Sequence, residues 1–203
     1  MQDIETNSLW SQVSGKAIQG EEEGKELRLF NAQHSTYGEF KRLYPNGILL
    51  RKDIKGDAGS NYNKYFQSND KLGIFGRVDN FKRLKGKDIV YGIRLADGEV
   101  AFSKELLIKN GFSIYLVSDF AIIITYNSHA KSVAAFKISK PSSEIYVENN
   151  DIVFKTHGNT KDRWDAQTGN SKNPGNKDLE PFPVVTSYWF AWASFFPGSE
   201  LIK

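Results

Sequence analysis

The chain has 203 residues, with 27 basic and 24 acidic side chains and a formal charge of +3; that length buries a real core, as one domain or two small ones. The charges are interspersed, so nothing marks a nucleic-acid or anionic-membrane surface. No apolar run reaches the roughly 18 residues that cross a bilayer, and MQDIETNSLW has no charged start and apolar stretch of the secretory kind. Without cysteine, disulfides, thiolate catalysis and Cys-ligated metal centres are excluded, and the 13% aromatic content marks a folded protein.

In chain order, Glu26–Phe30 and Gly47–Leu50 read as short strands on either side of Thr36–Tyr44, a short aromatic helix that starts at Ser/Thr and stops before Pro45. The segment Asp53–Asp70 is polar and rich in Gly and Asn, and reads as a long loop; Leu72–Val78 adds a strand. Asp88–Leu95 and Glu99–Phe102 flank Ala96-Asp97-Gly98, a strong hairpin signal. Ser103 caps a helix that stops at Asn110-Gly111. Ser113–Val117 and Phe120–Tyr126 flank Ser118-Asp119. The run FAIIITY is consistent with a central strand buried on both faces. Ser132–Ile138 follows as a strand, then Ile145–Val147 and Ile152–Phe154 across Asn149-Asn150, residues that tolerate positive φ. Asn170–Lys177 reads as a loop, and Ser187–Phe196 as a second aromatic helix before Pro197.

A repeat organises these elements. Thr6, Trp10, Ser14 and Gly15 form T-x3-W-x3-S-G, and Thr160, Trp164, Thr168 and Gly169 form T-x3-W-x3-T-G. Tyr37 corresponds to Trp189, and each tryptophan is followed by an aromatic stretch ending in proline, 35 residues on in the first case and 33 in the second. About seventy strand-like residues precede Trp164 but only nine precede Trp10. The expectation is therefore one and a half copies: residues 1–81 as the back half of the first, and residues 86–203 as a complete second, packed together or as one compact domain. A half-module exposes a sheet edge and an apolar face, so self-association or a covering partner is expected.

Chemistry-bearing patterns are sparse. His34, His129 and His157 lack metal-ligand spacing, so no metal is assigned. Neither a G-x-S-x-G elbow nor a phosphate loop occurs, so no cofactor is assigned either. Glu21-Glu22-Glu23 reads as a solvated loop. Tyr62–Phe66 and Phe81–Leu84 interleave basic and aromatic residues, but without a contiguous basic strip they do not imply nucleic acid. The Thr-Trp-Gly turns admit two uses. The indole can plug the gap between sheet and helix, or stack on a planar ligand or sugar ring.

The run Glu5–Gln12 with Ser14-Gly15 and Ala17–Gly20, and the closing Tyr188–Pro197 (YWFAWASFFP), resemble the middle and the C-terminal stretch of domain-of-unknown-function family 3179. Val90–Ile93 leading through Asp97-Gly98 to Ala101-Phe102 is similar to that family's strand-turn-strand. The resemblance implies an additional N-terminal half-copy bearing a T-Y-C-P-x-C segment, and export of full-length relatives; the compartment of this chain stays open. In the copy present, Thr125–Ala130 occupies the corresponding place, with Asn127 and Ala130 where cysteines would stand. Ser103 replaces the proline of A-Y-P. Thiol or metal chemistry at that segment is therefore not available to this chain.

The fold expected is mainly β (β-rich α+β), a duplicated sheet or barrel-like module with short aromatic helices. For function, a non-catalytic binding or structural module is the first expectation. The alternative is an enzyme, or a degenerate one, with a cleft between the copies. Candidate ligand-contacting residues are Trp10, Trp164, Thr168, His129, Asn127, Thr125 and Asp165; no catalytic residue is assigned. The two uses separate on whether His129 and the Trp164 turn line one concave surface, and on how deeply the tryptophans are buried.

Overall fold

The computed structural model of the protein describes residues 1–50, 65–68, 72–73, 83–141, 144–155 and 161–203. The expected strand Leu72–Val78 beyond Gly73, most of the Asp53–Asp70 loop, and Thr160 and His157 lie outside the described residues. Strands dominate, with a few short helices, and the sheets are open rather than closed into a barrel.

Two four-stranded sheets and one three-stranded sheet stack on one another. The first joins β12 (Val185–Tyr188), β3 (Ile89–Leu95), β4 (Gly98–Ser103) and β13 (Glu200–Ile202) in that order. The second joins β11 (Glu180–Pro181), β7 (Ser132–Ile138), β6 (Ala121–Asn127) and β5 (Phe112–Leu116). The third joins β10 (Lys161–Asp165), β9 (Asp151–Lys155) and β8 (Glu144–Glu148). A two-stranded ribbon near the N-terminus, β1 (Leu9–Trp10) with β2 (Ala17–Gln19), forms a sheet of its own, with Val13 of its turn packed on the cluster around Trp189 and Trp192 and Ser14 held by Arg94 of β3.

Side-chain alternation explains the stacking. On β6, Ile122 and Ile124 face the β3–β4 sheet with Tyr91, Ile93, Val100 and Phe102, while Ala121 and Ile123 face Ile152 and Ala166 on the other side. All of β6 from Ala121 to Ile124 is fully buried, each isoleucine contributing about 1.5–3 kcal/mol of burial. FAIIITY is thus a strand covered on both faces, as its unbroken apolar character predicts.

The turns follow from their residues. Asn149 (φ 52°) and Asn150 (φ 64°) join β8 to β9 in the left-handed region that asparagine tolerates. Helix α2 (Lys104–Asn110) begins where the Ser103 hydroxyl accepts the Leu106 N–H at 3.2 Å, and ends at left-handed Gly111, whose N–H donates to the Leu107 carbonyl. α1 (Tyr37–Leu43) and α3 (Trp189–Phe195) are matched in length, flanking angles and final hydrogen bond. Yet α1 buries nothing, whereas α3 buries Trp189, Trp192 and Ala193 against Val90 and Ala101 of the first sheet. Gly92 makes that contact feasible, because a Cβ there would lie 2.0 Å from Cζ3 of Trp192.

Three expectations are corrected. Glu26–Phe30 and Gly47–Leu50 are not strands: Glu26 makes a single bridge to Lys16, and no ladder partner among the described residues reaches the rest. Ser187 belongs to β12, so α3 starts two residues later than expected, behind Tyr188. Trp10 and Trp164 sit on strands β1 and β10, with the tight turn beginning one residue after each.

Candidate functional site

The second tryptophan turn is held by one carboxylate. Asp165 Oδ1 accepts the N–H groups of Gln167 and Thr168, both at 2.9 Å, and the Thr168 hydroxyl at 3.2 Å. Gly169 (φ 75°) donates its N–H to the Asp165 carbonyl, and Asp165 N–H donates to Asn170. Only glycine fits, since a Cβ would meet Phe136 Cε1 at 2.6 Å in addition to the left-handed strain.

The Trp10 turn repeats this pattern. Gly15 (φ 67°) donates to the Ser11 carbonyl, Ser11 N–H donates to Lys16, and the Ser11 hydroxyl accepts the Ser14 N–H at 3.2 Å. Farther on, Leu27 donates to the Gly15 carbonyl as Leu179 does to that of Gly169. Trp10 pairs with Ala17 as Trp164 bridges to Ser171.

The indoles differ in their partners. Trp164 is half-buried, packs edge-on to Phe154 at 4.9 Å between ring centroids, and donates to the Lys177 carbonyl at 2.9 Å. Trp10 is half-buried, donates to Asp3 Oδ2 at 2.7 Å, and borders a cavity of about 440 Å³ with Asp3 and Thr6. The Trp10 hydrogen bond, followed by that from the Thr6 N–H, lowers the Asp3 carboxyl to about 2.

Of the other sequence-predicted residues, Thr125 is buried and its hydroxyl donates to the Ala166 carbonyl at 2.7 Å, tying β6 to the Trp164 turn. Asn127 Oδ1 accepts the N–H groups of His129 and Ala130 at 3.0 Å, and its amide donates to Asn150 Oδ1. His129 and His34 are exposed. Among the described residues no three His, Asp or Glu side chains gather as a metal would need. Helix α1 lies within electrostatic range of this region. The Arg42 hydrogen bond, and secondarily the charges of Arg42 and His129, lower the Glu39 carboxyl, while Glu39 and then Asp165 raise Arg42.

Between residues 31–44 and the Trp164 turn lies a cleft of about 320 Å³. Phe40, Tyr44 and Phe136 supply aromatic surface, and Gln33, Gln167 and Thr168 supply polar groups; among the described residues no charged side chain lines it. Gln33 reaches across to donate its amide to the Gln167 carbonyl at 2.8 Å. Gln167 is 1% exposed, and its side-chain oxygen is hydrogen-bonded to the Ser132 hydroxyl. Its Nε2 is buried and has no hydrogen-bond partner among the described residues. The core indole N–H of Trp189 is unpaired in the same way among the described residues.

The cleft brings together Thr168, with Asp165 behind it, but not Trp10, Trp164, Thr125 or Asn127. Gln33, Tyr44, Phe136 and Gln167 were not singled out in the sequence. Gln167 does stand inside the T-x3-W-x3-T-G motif, where Val13 occupies the corresponding place of the first, and an amide inside a motif otherwise read as packing was the one available signal.

Comparison with curated proteins gives no match, and neither does comparison with solved structures. Residues 1–199 do match the family model described as a protein of unknown function, DUF3179, and with nearly its whole length covered the chain belongs to that family.

Proposed function

We propose that this protein is a non-catalytic binding module assembled from two unequal copies of one turn-and-helix unit, residues 1–81 and 86–203, with its ligand held in the cleft where the copies meet. The observation that carries the reading is the cleft itself, lined among the described residues by aromatic and uncharged polar side chains, Gln33 and Tyr44 among them. Duplication draws support from the matched hydrogen bonds at Ser11–Gly15 and Asp165–Gly169, and from the matched ends of α1 and α3. A binding rather than catalytic use draws support from the commitments of Asp165, Asn127 and Thr125, whose polar atoms hold turns and backbone instead of facing one reacting centre. Trp164 and Thr168 serve in this reading as the frame that sets Gln167 in place.

Amide chemical-shift mapping of the whole chain with neutral, cationic and anionic fragments tests it. Perturbations clustering on Gln33, Tyr44 and residues 165–169, with every fragment recovered unchanged, are expected. Perturbations confined to other surfaces, or chemical turnover of a fragment that binds the cleft, would refute the proposal.

A further inference from the structure

Resting on that binding function, the geometry points to a neutral, hydroxyl-rich ligand of one or two sugar rings as the occupant of the cleft. Charge argues first. A quarter of the chain is Asp, Glu, Lys or Arg, yet among the described residues none of these lines the cleft. A phosphate or carboxylate would lose its hydration there without gaining a counter-charge.

Polarity argues second. A purely apolar ligand would cover the polar side chains of Asn31, Gln33 and Ser35 on the walls without replacing the water they lose. Side-chain amides and hydroxyls that both donate and accept suit sugar hydroxyls, which do the same.

Shape argues third. Phe40 and Tyr44 lie 5.8 Å apart with rings tilted by 40°, and Tyr44 is half exposed. They offer flat apolar faces to the C–H side of a pyranose while the amides meet its rim. The volume of about 320 Å³ sits at the small end of ligand sites, which run from roughly 300 to 1,000 Å³.

Isothermal titration of the full chain with glucose, N-acetylglucosamine, maltose and chitobiose tests this, with glucose 6-phosphate and galacturonate as charged controls. At least one neutral sugar is expected to bind, and the charged controls are expected to bind at least about tenfold more weakly. Gln33→Met removes a lining amide at similar volume, and Tyr44→Ala removes a half-exposed ring. Each is expected to weaken binding by about tenfold or more, with thermal melting reporting that the Tyr44 variant stays folded. Binding that Tyr44→Ala leaves unchanged overturns the assignment. So does tighter binding of a charged control in the cleft, an outcome that leaves the broader binding function standing. Silence from every sugar overturns the sugar class, and silence from every fragment in the shift mapping as well removes both.

Discussion

Single side chains decide much of this structure. Gly92 lies beneath the Trp192 indole with no room for a methyl group. Gly92→Ala should therefore destabilise by about 1–3 kcal/mol or more, measured by urea denaturation, and pairing it with Trp192→Phe should recover part of the loss. Asp3 makes a prediction about acid. Its carboxyl sits at about 2, below its ordinary value, chiefly because the ionised form accepts the Trp10 indole N–H. The stabilisation is present above pH 4 and is lost as pH falls through about 2. Trp10 fluorescence should shift across that window, and Asp3→Asn should abolish the shift. Thr125→Val should cost about 1–3 kcal/mol by stranding the Ala166 carbonyl.

At the scale of elements, caps and turns are the most legible features. Ser103→Ala should remove about 1 kcal/mol from α2 in thermal melting. Asn150→Val should cost about 1–2 kcal/mol, because a β-branched residue resists φ of 64°. Both sites are visible in the sequence for the same local reason that makes them work. The hairpins β3–β4 and β8–β9 were legible too, since their apolar runs and their Asp-Gly and Asn-Asn turns are short-range signals. β10 and β13 were not. KDRWD has no apolar alternation and is a strand because β9 presents a ladder to it, while Glu200–Ile202 pairs in parallel with β4, a partner about a hundred residues earlier. The converse error arose at Glu26–Phe30 and Gly47–Leu50, where apolar residues suggest strands that no partner among the described residues completes. The cleft was half legible. The motif located the turn, but Gln167 gains its meaning only from burial and from residues 31–44 crossing above it.

For the whole molecule, layering sets the response to conditions. Tyr91 is buried between the two large sheets, and burial, aided by Tyr126, raises its phenol to about 12. The unfolded chain ionises this group near pH 10 while the folded protein keeps it neutral. Its contribution, on the order of 2 kcal/mol, is complete below pH 10 and disappears between pH 10 and 12; Tyr91→Phe should flatten that part of the stability profile. Phe30, Ile48 and Leu50 are more than three-quarters exposed, and exposed apolar side chains favour association where they gather into a patch. Sedimentation should show mass rising with concentration, and Ile48→Ser with Leu50→Ser should reduce it. The deepest consequence belongs to β6, enclosed between two layers at once. Deuterium cannot reach the amides of Ile122 to Ile124 unless both flanking sheets part, so their exchange clock should keep the time of global opening, slower than any other amide in the chain.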